Sequence, residues 1–246
     1  MKFVAMPRYQ MRKNALTKLL KMTNIVRGGV LLEIGYGAGE VFNLYQKLGI
    51  RVDGYDFSTM AQEHALKNYH YSNVRLLKEK PETRHQYDCV VACEVLEHIE
   101  DDVAVLKEWK TYLSDTGKLI ISVPAHKNRW GSNDVYSGHY RRYERKELEA
   151  KFEKAGMAIE KIYTYDFPMC LVLDKMRDYS RGKKISSEHL EKSKEEFTQS
   201  SGVERDFGPI TVALSNPVLW FPIIKFEELF YRRDWGSAYI LMASVR

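Results

Sequence analysis

The 246-residue sequence has no uninterrupted apolar run of the roughly 18 residues that a membrane-spanning helix needs, so no transmembrane segment is expected. Cysteine is scarce: Cys89, Cys93 and Cys170 are odd in number and form no C-x-x-C pair. Cys89 and Cys93 lie in or beside an apolar run, which reads as buried reduced thiols rather than bridges. The opening MKFVAMPRYQMRK lacks the apolar core and small-residue cleavage site of a secretion signal. Both features lead to the expectation of a cytoplasmic location. Internal repeats, low-complexity tracts, a separate basic domain and an aromatic RNA-binding module are all missing, which disfavours nucleic acid as a partner. What remains is ordinary for a globular enzyme: 44% hydrophobic, 29% charged, and a net charge of +5 that mildly favours anionic partners. The length suits a single α/β domain spanning 1–246.

The most informative stretch is Val30 to Val41, VLLEIGYGAGEV. An apolar run that stops at alternate glycines, Gly35, Gly37 and Gly39, reads as a buried strand turning sharply into a helix. Such turns bind nucleotides at the C-terminal edge of open α/β sheets. A dinucleotide fingerprint would require glycine at position 40, which is Glu40, and its acidic side chain would repel a pyrophosphate. Glu33 before the first glycine adds a second carboxylate, which suits a cationic ligand. The E-x-G-x-G-x-G pattern resembles motif I of the class I S-adenosylmethionine (SAM) dependent methyltransferases, whose cofactor carries a sulfonium and an ammonium.

The rest of the chain alternates strand and helix. Leu16, Leu19, Leu20 and Ile25 fall at helical spacing, predicting an amphipathic helix over Tyr9–Asn24. Strands are predicted at Ile50–Tyr55, Val74–Leu77, Tyr87–Ala92, Lys118–Val123, Met157–Tyr165 and Ser237–Val245, with a turn at Asp115–Gly117. Helices are predicted at Glu40–Leu48, Met60–Tyr69, Val103–Leu113 and Glu144–Ala155. This order implies a mainly parallel, Rossmann-like sheet with helices on both faces. The resemblance implies seven strands, the last antiparallel, with a helical cap inserted between strands six and seven at 175–235. Through Asp206 that segment is highly charged and reads as a mobile lid or solvated helix. Its second half carries Trp220, Phe221, Phe226, Phe230 and Tyr231, whose apolar surface is expected first to pack on the core, or else to wall the acceptor site or meet another surface; the working hypothesis is a cap whose aromatics line the acceptor pocket.

The cofactor set expected from these residues is Glu33, Gly35, Gly37, Gly39, Asp56, Phe57, Ser58 and Glu94. Asp56 closes the second strand, placed to accept hydrogen bonds from ribose hydroxyls. Phe57 would pack on adenine and Ser58 would cap the following helix. Glu79 is the match to the acid that binds the adenine amine in this superfamily. For the chemistry, His98, His126 and His139 each follow a strand end. His98 and His139 are taken as catalytic, His126 as acceptor-binding. Ser137 to Leu148, SGHYRRYERKEL, is similar to a G-H-x-R-R-Y-x-R-x-E-L pattern of bacterial SAM methyltransferases acting on sugars, lipids or other small metabolites. In it, Arg141, Arg142 and Tyr143 are expected to bind a phosphate or carboxylate of the acceptor. Glu94, Glu97 and His98, at spacings of three and four, would share a helical face. With His139 they are similar to the two-glutamate, two-histidine metal site of small-RNA 2′-O-methyltransferases, and the E-x-x-E-H part resembles magnesium-using ubiquinone-pathway O-methyltransferases. Mg²⁺ or Mn²⁺ would suit such ligands. The leading expectation is O-methylation of a small molecule, anionic, sugar or lipid-linked. The alternatives are RNA 2′-O-methylation and a non-catalytic SAM-binding subunit.

Overall fold

The computed structural model describes residues 7–23, 25, 28–68, 71–82, 85–188 and 217–246. The order is α1 (Pro7–Leu20), β1 (Val30–Ile34), α2 (Phe42–Lys47), β2 (Arg51–Tyr55), α3 (Thr59–Asn68), β3 (Val74–Leu77), β4 (Tyr87–Cys93), α4 (Asp102–Tyr112), β5 (Leu113–Pro124), α5 (Ser132–Ser137), α6 (Arg145–Lys154), β6 (Met157–Tyr165), α7 (Cys170–Glu188), α8 (Pro217–Glu227) and β7 (Ala238–Val245). The seven strands form one sheet in the order β3-β2-β1-β4-β5-β7-β6. β1 to β5 run parallel; β7 is antiparallel to both of its neighbours, pairing Ile120 with Met242 and Tyr163 with Ile240.

Strand residues alternate between two cores, as the pleat demands. Leu31, Val91, Ile120 and Ile240 meet Met11, Leu19, Leu20 and Phe42 on one face. Leu32, Val90, Ile121 and Leu241 meet Leu106, Trp109, Leu148 and Phe152 on the other. Each such side chain contributes about 1.5–3 kcal/mol relative to exposure, so two filled faces stabilise the fold without cross-links. Leu16, Leu19, Leu20 and Ile25 are all buried, in agreement with the predicted amphipathic helix. The strand order reverses between β1 and β4, and the crevice at their C-terminal ends is where such sheets bind ligands.

Three expectations are corrected. The stretch from Cys93 is not the start of a helix: Glu94 has a left-handed φ of 57°, Leu96–His98 make one 3-10 turn, and α4 begins only at Asp102. The helix waits for its cap, since Asp101 Oδ1 accepts from the Ala104 amide at 2.9 Å. Glu94, Glu97 and His98 therefore do not share a helical face. The Asp115–Gly117 turn is absorbed into β5, whose register against β4 shifts between Tyr87 and Cys89. In the segment 175–235, residues 189–216 lie outside the described residues. Its described remainder belongs to α7, which starts earlier than expected at Cys170, and to α8, whose Trp220 joins the α1-side core together with Tyr231. Asn14 Nδ2 donates to Glu228 Oε1 and Lys18 pairs with Glu228, tying the chain after α8 to α1. No helix among the described residues is long and apolar enough to cross a membrane.

Asp102, 2% exposed, ties α4, α6 and the loop before α6 together. Its carboxylate accepts from Arg141 Nη1 and Lys151 Nζ at 2.9 Å each and from the Tyr143 hydroxyl at 3.1 Å. Truncation would remove the shared carboxylate of two mostly buried cations and a buried hydroxyl, leaving Tyr143 only the Leu96 carbonyl at 3.3 Å and Arg141 only the Glu100 carbonyl at 2.7 Å. Asp102→Ala should therefore lower unfolding stability by about 3–5 kcal/mol. Urea denaturation checks this: a loss below about 1 kcal/mol would rank the cluster with surface ion pairs.

Candidate functional site

The turn after β1 is held open from two sides. Gly35, Gly37 and Gly39 take φ values of 73°, 56° and 80°. At Gly35 no other residue fits, because a β-carbon would collide with Val95 Cγ2 as well as disfavour that φ. The Gly35 amide donates to Tyr55 O at 2.8 Å, and the Gly37 amide donates to Asp56 Oδ2 at 2.8 Å. The other Asp56 oxygen accepts from the Ser58 amide at 2.9 Å, and Ser58 Oγ accepts from Ala61 N at 3.3 Å, capping α3 as expected. Burial pushes the Asp56 carboxyl up, and the two amides oppose that shift. Phe57 is half exposed beside it.

This turn opens onto a cavity of about 270 Å³, lined among others by Arg12, Gly37, Glu94, His98, His139 and Arg177. Glu94 Oε1 accepts from Ser122 Oγ and from the Tyr165 hydroxyl at 3.0 Å each. Burial pushes this carboxyl up, but Arg8, Arg12 and His139 outweigh it and hold the group at about 2. Glu33 lies deeper, 2% exposed, and accepts a short hydrogen bond from the Tyr45 hydroxyl. Burial raises it to about 8, against the opposing pull of Tyr45 and Arg12.

On the far wall stands a polar chain. His139 Nδ1 is 2.8 Å from Asp134 Oδ1, and Arg142 Nε donates to both Asp134 oxygens at 2.9 Å. Burial opposes ionisation of Asp134, yet the His139 hydrogen bond and Arg142 keep its carboxyl below the usual value. His139 Nε2 lies 3.8 Å from Glu97 Oε1, and the His98 ring meets the His139 ring edge-on at 4.8 Å. Burial, then His139, lower His98 to about 4, so it is neutral near pH 7. Glu97 is fully buried, and neither of its oxygens has a hydrogen-bond partner among the described residues. Burial and then Glu94 raise its carboxyl well above the usual range. Glu97, His98 and His139 offer ligand atoms within 4.8 Å of one another; Glu94, expected as a fourth ligand, is outside that group.

The predicted acceptor-binding set is mostly misplaced. Arg141 reaches Asp102 and the Glu100 carbonyl, and Tyr143 is buried with its hydroxyl on Asp102. His126 lies 3.7 Å from Glu144 and 3.8 Å from Asp234 and does not line the cavity. Only Arg142 reaches the cavity, where Asp134 engages it. None of the cap aromatics lines it either; Trp220 and Tyr231 are core residues. Glu79 is likewise absent from the lining. Sequence reasoning missed Asp134, five residues before His139, and the arginines Arg8 and Arg12 of α1 and Arg177 of α7. Asp134 lies three residues before the Ser137–Leu148 stretch, just outside the pattern that drew attention to His139; the arginines gave no local signal.

The buried Glu33 has a consequence for pH. Below about 4.5 it is protonated folded or unfolded; from there to about 8 only the folded form keeps the proton, so its contribution to stability is lost as pH rises through that window. Relative to wild type, Glu33→Gln should gain stability steadily between pH 5 and 8. Urea titrations at several pH values test it, and parallel curves would show that Glu33 is already ionised.

A sequence model of the methyltransferase domain matches residues 8–162. The ubiquinone biosynthesis O-methyltransferase of Rhodopseudomonas palustris (strain TIE-1) is 32% identical over 109 residues, which cover 42% of either protein. The corresponding protein of Bradyrhizobium sp. (strain ORS 278) is 33% identical over 107 residues, again 42% of each. The alignments thus span less than half the length of these curated relatives. A SAM-dependent methyltransferase structure from Mesorhizobium loti superposes with a TM-score of 0.57 at 14% identity, covering 92% of this chain and 95% of that one. At that identity the likeness is one of fold. With a domain match across most of the chain, the seven-stranded sheet with its antiparallel last strand, and a glycine turn facing a polar cavity, the protein belongs to the methyltransferase domain family.

Proposed function

We propose that the chain methylates a hydroxyl of a small-molecule acceptor, with His139 as the base. The observation that carries this reading is the Arg142–Asp134–His139 chain ending at the cavity. Asp134 accepts from Nδ1–H and so favours the tautomer whose Nε2 is a free acceptor. The same carboxylate stabilises the imidazolium once the acceptor proton has moved to Nε2. Arg142 keeps Asp134 ionised, so the pair remains competent at neutral pH.

The residues present fit the cofactor. Each Asp56 oxygen accepts one backbone amide and, as a carboxylate, retains capacity for ribose hydroxyls. The left-handed glycines leave the main chain of the turn bare for close approach. Arg12, beside the turn, can receive the amino-acid carboxylate, and Glu94, held ionised, can receive the ammonium. SAM, when bound, supplies a methyl carbon activated by positive sulfur. Alignment of the two reactants contributes about 7–11 kcal/mol, and a base about two to four orders of magnitude. The partial relatives, named as O-methyltransferases, support oxygen as the acceptor atom. Arg177 at the cavity wall supports reading α7, the described start of the segment expected as a cap, as part of the site's wall.

A second reading adds a divalent cation at Glu97, His98 and His139, favoured by the partnerless Glu97 carboxyl. The two readings separate at Glu97. If it is simply a protonated acid, Glu97→Gln keeps activity and chelators do nothing. If it binds metal, both interventions abolish turnover and Mn²⁺ or Mg²⁺ restores the chelated enzyme.

Two outcomes test the main reading. Asp56→Asn should weaken SAM binding by about 10- to 150-fold, the equivalent of 1.5–3 kcal/mol; calorimetry showing unchanged affinity would remove Asp56 from the cofactor site. His139→Ala should lower turnover by about 10²–10⁴-fold while SAM affinity stays within about threefold. Unchanged turnover with an acceptor found in a metabolite pool would eliminate His139 as the base.

A further inference from the structure

We propose that the acceptor carries an oxyanion, a carboxylate or a phosphate, and that Arg177 of α7 receives it. The inference rests on the reaction just described and adds the acceptor's chemical class.

Four arginines line the cavity: Arg8, Arg12, Arg142 and Arg177. Two are engaged by the protein. Arg142 grips both oxygens of Asp134, and Arg8 Nε lies 3.3 Å from Asp166 Oδ2 while its Nη2 donates to Ser237 O at 3.4 Å. The other two are not. Among the described residues Arg12 has no carboxylate within 4.0 Å and no hydrogen bond; the Tyr9 ring lies 5.9 Å away, and Glu94 attracts it without bonding to it. The nearest carboxylate to Arg177 is Asp174, 3.9 Å away and one turn back on the same helix, and that acid stands equally far from Arg129; Asp166 and Glu94 attract Arg177 without an ion pair within 4.0 Å. Two guanidinium forks, each with five donors, therefore face one recess with no hydrogen-bonded acceptor among the described residues.

A bound SAM can satisfy only one of them. It has a single carboxylate, and its sulfonium and ammonium leave it with a net positive charge. Arg12 is the arginine placed for that carboxylate, since it also lines a smaller cavity of about 40 Å³ against Glu33, Gly35 and Tyr36 at the glycine turn. Arg177 remains, on the wall shared with Asn133 and His139, where the acceptor must lie to reach the base. Burial lowers its pKa and the nearby Arg8 lowers it further, yet a guanidinium stays charged at neutral pH. An anion from the acceptor would relieve that strain through paired hydrogen bonds.

The position of Arg177 is set by its neighbour. Asp178 Oδ1 accepts from the Asn133 amide at 3.0 Å, and the same carboxylate lies so close to Gly131 that a β-carbon there would overlap it. α7 is thus seated on the start of α5, a few residues from His139, and cannot slide away without breaking that contact.

The test is a calorimetric titration of inorganic phosphate, and in parallel acetate, into the full chain saturated with S-adenosylhomocysteine. One saturable site is expected for at least one of the two anions, and the stronger of them indicates which group the acceptor carries. Arg177→Met should weaken it by about tenfold or more. Arg177→Lys should retain part of it, which excludes misfolding as the cause. Lys146→Met, which removes an exposed charge away from the cavity, should change nothing. The proposal falls if neither anion saturates, if Arg177→Met binds as tightly as wild type, or if the site vanishes when S-adenosylhomocysteine is added, since the anion would then be a stand-in for the cofactor carboxylate. His139→Ala should leave the titration intact. Full turnover in that variant beside a normal titration would overturn the base and not the anion subsite.

Discussion

The Asp56 carboxylate joins two loops that would otherwise be independent. One oxygen accepts from the Gly37 amide in the turn after β1, the other from the Ser58 amide after β2. The left-handed glycine turn has few contacts of its own, so its shape depends on this bridge between adjacent parallel strands. The same two amides limit how far burial can raise the carboxyl, and so preserve an acceptor at the mouth of the cavity.

Three glutamates near the turn, two of them buried, show how differently one residue type behaves within one site. Glu33, under the sheet-to-turn junction, is raised to about 8 because burial exceeds the pull of Tyr45 and Arg12. Glu94 is only half-buried, and although burial pushes it up, Arg8, Arg12 and His139 converge on it and hold it at about 2. Glu97 has burial and the charge of Glu94 acting in the same direction, and is raised well above the usual range. The site thus carries one reliable anion among three acids, beside a histidine oriented by a fourth carboxylate, Asp134. One site holds acids of the same type in opposite protonation states, separated by burial and by which charges reach each one.

α1 and α7 supply the cavity's free cations although neither contributes to the glycine turn or the basic stretch after β5. α1 buries its leucines against the sheet and turns Arg8 and Arg12 toward the crevice. α7 docks through Asp178 and delivers Arg177. The residues that looked most like an anion site in sequence, Arg141 and Tyr143, serve instead to hold Asp102 and the loop that carries His139.

The sequence by itself determined the strands of the sheet, the glycine turn and the acid at the end of β2, because each is written in local signals; the antiparallel last strand came only as what the family resemblance implied. Apolar runs of period two, glycines at alternate positions and a serine cap act over a few residues and need no distant partner. It also marked His139 through the stretch around it. Only the tertiary structure decided which charged residues face the cavity. A surface arginine and a cavity arginine have the same composition and the same helical spacing, and what separates them is the presence of a carboxylate within reach. Arg141 finds Asp102, 39 positions away, and Arg142 finds Asp134, 8 positions away, whereas among the described residues Arg12 has no carboxylate within 4.0 Å and Arg177 has only a long contact of 3.9 Å to Asp174 on its own helix. Pairing of that kind is settled by packing between helices far apart in the chain, so no window of sequence contains it.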